Sequence, residues 1–130
     1  MLEEHVDLTV LNTLRDVMET EYPALLHIFI RDSQARVTDL NGLIQAADFS
    51  AASQTHLDQL GLLAHSFKGS SSNMGAAHLA QLCGELEDLV RGQGAVSEAR
   101  VTQLVQDIDS EFCVVRDIFD VELQTTLASH

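Results

Sequence analysis

The sequence predicts an all-α protein: an antiparallel up-down-up-down four-helix bundle with a short extra N-terminal helix. Three observations lead there. The 130 residues include one Pro and only seven Gly, and are rich in Leu, Ala, Gln and Glu, the residues that lose least on entering a helix. Apolar residues recur every three or four positions through four long runs, the period of a buried helical stripe. No segment alternates apolar and polar residues as a half-buried strand would.

The elements follow in order. A short opening helix is expected over residues 8–19, lying across one end of the bundle. The next, over 23–47, starts at Pro23, whose fixed φ suits a first helical turn, and carries Leu26, Phe29, Ile30, Val37, Leu40 and Ile44 at helical spacing. After a turn at Asp48 to Ala52, a third run over 53–72 sets Leu57, Leu60, Ala64, Phe67 and Ser71 on one stripe. The fourth, over 76–91, repeats the pattern with Leu79, Leu82, Cys83, Leu86, Leu89 and Val90, and stops at Gly92-Gln-Gly94. The last, over 98–127, begins behind Ser97, a good N-cap, and carries Val101, Leu104, Val105, Ile108, Phe112, Val115, Ile118, Phe119 and Leu123, fraying before His130. Short connections between long amphipathic helices favour antiparallel neighbours, and no linker divides the chain, so residues 1–130 read as one domain.

Composition excludes several classes of partner. Twenty acidic residues against seven basic ones give a formal charge of −13, which repels nucleic acid and anionic membranes. No run of 18 apolar residues occurs, and the opening MLEEHVDLTV lacks the basic-then-apolar build of a secretory signal, so a cytoplasmic protein is expected. Cys83 and Cys113 have no metal-ligand spacing and sit in apolar helical patterns, as free buried thiols do. His5, His27, His56, His78 and His130 show no pairing that builds a metal site, and read as structural or surface groups.

The informative segment is Ala64-His-Ser-Phe-Lys-Gly-Ser-Ser-Ser-Asn-Met-Gly-Ala76. At about 100° per residue, His65, Lys68, Gly69 and Ser72 share a face roughly a quarter turn from the apolar stripe, so His65 should meet solvent. An exposed imidazole is a nucleophile near neutral pH. A lysine one turn on would neutralise charge on an incoming phosphoryl group, and phosphoryl transfer needs mainly positioning and charge stabilisation. Gly69 removes bulk where another protein must bring its own acceptor close. Glu87, at the edge of the next helix's stripe, can accept a hydrogen bond from His65 Nδ1 and leave Nε2 as the attacking nitrogen. Ser72 shares the face and is placed to touch the phosphoryl group. Leu62, nearly opposite the core stripe on the His65 side, should be an exposed apolar residue that helps dock a partner. The serines at 70–72 come with no base and read as residues of a helix end.

Ala64, His65, Phe67, Lys68, Gly69, Ser70, Ser71, Met74, Gly75 and Ala76, followed by Leu79, Leu82, Cys83, Leu86 and Glu87, closely resemble the core of the histidine phosphotransfer (HPt) domain family of bacterial multistep phosphorelays. The resemblance implies that His65 is phosphorylated on Nε2, that Lys68 interacts with the phosphoryl group, and that Gly69 admits a receiver domain. It implies too that Glu87 bonds the active histidine and that Gly75 permits a tight turn. The implied partners are the receiver domains of a hybrid sensor histidine kinase and of a response regulator. They would supply both the aspartate and the magnesium ion, so no cofactor or metal site is expected in this chain. A monomeric phosphoryl carrier that does not itself use ATP is the consequence, and the initiating Met1 and compact length favour a free-standing relay protein.

Two rival readings stand beside it. The dimerisation and phosphoacceptor domain of a sensor kinase also places histidine on a helical hairpin, but usually follows it with an acidic residue and a Thr-Pro or Asn-Pro pair, where this chain has His65-Ser-Phe-Lys-Gly. A non-catalytic adaptor bundle explains the helices but not the grouping of His65, Lys68, Gly69 and Glu87.

Overall fold

A computed structural model of the chain describes residues 2–46, 53–92 and 95–128. Every regular element among them is helical: α1 (Leu2–His5), α2 (Leu8–Met18), a 3₁₀ turn (Glu19–Glu21), α3 (Tyr22–Gln45), α4 (Gln54–Asn73), α5 (Ala77–Arg91) and α6 (Glu98–Ala128). None of these helices is long and apolar enough to cross a membrane. The turn expected at Asp48 to Ala52, the second glycine of Gly92-Gln-Gly94 and the C-terminal fraying lie outside the described residues.

Two of the four long helices, α3 and α6, start at recognisable local signals. Pro23 stands in the first turn of α3, where a missing N–H costs nothing. Ser97 precedes α6, and its Oγ accepts a hydrogen bond from Arg100 N at 3.3 Å. The N-terminus departs from the single helix predicted over 8–19, because α1 precedes that helix and a 3₁₀ turn follows it. Asp7 separates α1 from α2 by capping the latter, its side chain accepting from Thr9 N at 2.9 Å. Glu19 ends α2 in the left-handed region at φ 51°, with its N–H bonded to Arg15 O. No Gly or Pro marks that break in the sequence.

Packing joins the long helices in a ring: α4 against α5, α5 against α6, and α3 against both α6 and α4. The stripes read from the sequence supply the core, with Leu26, Leu40, Leu60, Ala64, Phe67, Leu79, Leu86, Ile108, Val115 and Phe119 fully buried. Burying each of the large side chains contributes about 1.5–3 kcal/mol. Phe29 meets Phe119 at 5.2 Å between ring centroids, and Phe67 meets Phe112 edge-on at 6.3 Å, which ties α6 to both α3 and α4. Val6 and Leu11 join this core from the N-terminal segment, and Tyr22 from the first turn of α3. Two polar pins hold that segment in place. His5 Nδ1 lies 2.7 Å from Glu111 Oε2 of α6, and Arg15 and Tyr22 both donate to Glu122 Oε1.

One turn sets how α4 meets α5. After Asn73 the chain passes through Met74 and then Gly75 at φ +76°, a left-handed conformation that costs an L-residue about 1–2 kcal/mol. Gly75 N donates to Ser72 O at 3.1 Å and Ala76 N to Ser71 O at 2.8 Å, the paired bonds of a Schellman ending. Gly75 O accepts from Asp7 N at 2.7 Å, so the same residue anchors the N-terminal segment. A Cβ at residue 75 would come within 3.0 Å of both Asp7 O and Val10 Cβ. Gly75→Ala is therefore expected to lower stability by about 1–2 kcal/mol or more, read as a lower urea midpoint at unchanged m-value.

Candidate functional site

The Gly75 turn folds α5 back along α4, and the exposed edge of their contact carries the charged residues singled out by the sequence. His65 stands on α4 with its side chain 63% exposed, whereas Glu87 on α5 is almost fully covered, with its side chain 8% exposed. His65 Nδ1 and Glu87 Oε2 are 2.8 Å apart. Lys68 Nζ donates to the other oxygen, Oε1, at 2.6 Å. Arg91, one turn beyond Glu87 on α5, donates to Oε2 through Nη1 at 2.5 Å. One carboxylate thus takes three donors from two helices.

Glu87 is held below its ordinary value of 4.5, first by the hydrogen bond from Lys68 and then by that from His65, with both charges adding to the effect against the opposing pull of burial. It is ionised at neutral pH and can only accept. His65 Nδ1 must therefore carry the hydrogen, which leaves Nε2 of the neutral ring with a free lone pair. The tautomer follows from the 2.8 Å contact taken together with the charge on the carboxylate.

The two cations reach Glu87 across glycines of the opposite helix. Lys68 leaves α4 with its Cδ over Gly84 of α5, at 3.4 Å from where a Cβ would stand. Arg91 leaves α5 over Gly61 of α4, where a Cβ would lie 2.8 Å from Arg91 Nε. Long side chains need such gaps to cross between two packed helices. Lys68 is the only lysine in the chain.

Gly69 follows Lys68 on the same exposed face, and a Cβ there would meet nothing within 4 Å. Nothing among the described residues requires a glycine at that position. Leu62 is 62% exposed one turn before His65, and with Leu43, Leu63, Gly42 and Ser66 it lines a groove of about 740 Å³ between α3 and α4. Ser72 is exposed one turn past Lys68 but takes no part in the bonds to Glu87. Ser70 Oγ accepts from Arg36 Nη1 at 3.3 Å and donates to Phe67 O at 3.2 Å, as a residue near a helix end does. Cys83 is buried one turn before Glu87, and burial pushes its thiol up to about 12 against the lowering influence of Arg36 and Lys68.

The structure therefore brings His65, Lys68 and Glu87 together, sets Gly69 and Leu62 beside them, and keeps Ser72 apart. Two features went unread in the sequence. Arg91 stands four residues after Glu87, a spacing that puts both on one helix face and could have been noticed. Gly61 left no trace, because its role depends on a side chain from another helix. The partner of the Lys68 ammonium, Glu87 Oε1, is a further contact that the sequence reading did not address.

The family model described as the Hpt domain matches residues 24–111, a span that includes every residue of this cluster. Among solved structures, histidine-containing phosphotransfer protein B from Pseudomonas aeruginosa PAO1 is 41% identical with a TM-score of 0.78, the match covering 93% of this chain and 96% of that one. A rice protein assigned as a histidine-containing phosphotransfer protein superposes with a TM-score of 0.77 over 95% of this chain and 82% of its own. At 18% identity it speaks for the fold alone. No curated protein sequence matches the chain.

The lowered Glu87 ionisation has a pH consequence of definite sign. A carboxyl whose folded pKa lies below its unfolded value adds stability above the unfolded value, and that stability is lost as pH falls through the folded one. The stability difference between wild type and Glu87→Gln, measured by denaturant titration, should shrink steadily as pH falls below about 5.

Proposed function

Because the chain belongs to the Hpt domain family, we propose that it relays a phosphoryl group between receiver-domain aspartates, from a hybrid sensor kinase to a response regulator, through phospho-His65. The observation that carries this reading is the exposed imidazole whose Nδ1 is tied to an ionised carboxylate. Nε2 attacks the phosphorus of a partner's aspartyl phosphate, the aspartate oxygen leaves as carboxylate, and the phosphoryl group ends on Nε2 with the Nδ1 hydrogen still in place. The ring then carries a positive charge, which Glu87 offsets across the same 2.8 Å bond. A cationic ring is also a good leaving group, so the step runs in reverse towards the next aspartate.

The remaining residues take roles around this step. Lys68 meets the phosphoryl oxygens, Gly69 leaves the space through which the partner's acceptor approaches, and Ser72, further along the exposed face of α4, meets the partner's surface. Leu62 and the groove beside it receive an apolar surface of the receiver domain. Magnesium resides in the partner, and the protein is a monomeric cytoplasmic carrier that does not use ATP itself. The arrangement that goes with this reading is one domain over residues 1–130 with α3 to α6 running up-down-up-down and α1 and α2 across one end. The three-residue link between α4 and α5 supports it.

Incubation with a phosphorylated receiver domain should transfer an acid-labile, base-stable label to the wild type and none to His65→Gln. Label undiminished in that variant would overturn the relay. Leu62→Asp is expected to keep the label but to take it up roughly tenfold more slowly in a rapid-quench assay, the size of one lost docking contact.

A further inference from the structure

Lys68 and His65 make conflicting demands on Glu87. In the resting site the Lys68 ammonium is bound to Oε1, yet the reading above needs that ammonium at the phosphoryl group. If Lys68 leaves, a nearly buried carboxylate loses one of its compensating charges at the moment when a phosphoryl group adds further negative charge. Removing one partner of a buried ion pair is strongly unfavourable unless another charge covers the group left behind. Arg91 is that other charge, held on Oε2 at 2.5 Å by a guanidinium that cannot deprotonate.

We infer that Arg91, seated over Gly61, is a positioning residue: it holds Glu87 in place and charge-compensated, so that Lys68 can pass from Glu87 to the phosphoryl group on His65. The inference rests on the relay reading and adds a switch to it. Before transfer, two cations and the imidazole N–H share one carboxylate. After transfer, Arg91 and the phosphoimidazole N–H keep Glu87 satisfied on Oε2, and Lys68 pairs with the phosphoryl oxygens. The lysine stays on the same turn of α4 as His65, so a rotation of its own side chain completes the exchange. Gly61 matters because Arg91 Nε occupies the space that a Cβ on α4 would need. Val90 Cγ2 is 3.5 Å from the same point, an ordinary contact, so only the arginine stands in the way.

Gly61→Ala tests this without changing the arginine's charge. It should displace Arg91 and behave like Arg91→Met, the better helix propensity of Ala offsetting part of the stability lost with the Glu87 contact. Since Lys68 is the only lysine, ¹³C,¹⁵N-lysine labelling gives one side-chain spin system that reports its partner directly.

The test uses the full chain phosphorylated with potassium phosphoramidate, whose P–N bond breaks to release ammonia as Nε2 takes the phosphoryl group. In the wild type the lysine side-chain resonances should shift on phosphorylation. In Gly61→Ala and Arg91→Met they should stay near their resting positions, and phosphohistidine should be lost faster than from the wild type. Arg91→Lys should recover part of the lifetime. Equal lysine shifts and equal lifetimes in all four proteins would overturn the inference and leave the relay intact. A wild type that takes no acid-labile label would overturn both.

Discussion

The site depends on a single constraint, the need to keep a nearly buried Glu87 carboxylate charged. Taking a carboxylate out of water costs several kcal/mol unless donors replace the water. Here the replacements are His65, Lys68 and Arg91, drawn from α4 and α5. Their convergence couples the His65 ring to the neighbouring helix and sets its Nδ1 against a carboxylate. It also accounts for the residues beneath them, since Gly61 and Gly84 leave the space through which two long cationic side chains cross. In a chain with nearly three times as many acidic as basic residues, two of seven cations gathered on one carboxylate are a concentrated investment in a single place.

That convergence needs α4 and α5 in one register, which the Gly75 turn fixes. Its left-handed residue closes two hydrogen bonds at the end of α4 and gives its carbonyl to Asp7, so one residue aligns the hairpin and seats the N-terminal segment. The long α6 backs this pair, its Phe112 meeting Phe67 two residues after His65. The imidazole of His65 is thus exposed on one side of a helix whose other side is locked into aromatic packing.

Much of this was legible from residue order. The 3.6-residue stripes gave the four long helices to within one or two residues wherever their ends are described, because each stripe is buried against its neighbours and periodicity records that burial. His65, Lys68, Gly69, Gly75 and Glu87 could be singled out because their chemistry is local or their spacing distinctive. The N-terminus was harder. The break at Glu19 is made by a non-glycine residue at positive φ, and α1 is one turn pinned by His5 against Glu111, more than a hundred residues away in sequence. Nothing short-range encodes either. The same holds for Gly61, whose meaning comes from Arg91, and for the resting partner of Lys68, which is settled by a carboxylate on another helix.

Cys83 lies one turn from Glu87, close enough to tempt a redox reading of the site. Its burial places thiolate formation near pH 12, and the thiolate is the form that oxidants and alkylating agents attack. At physiological pH Cys83 is therefore held as a thiol and serves as a packing group of α5. The hydrophobic interior that holds the helices together is also what keeps this sulfur in its less reactive form.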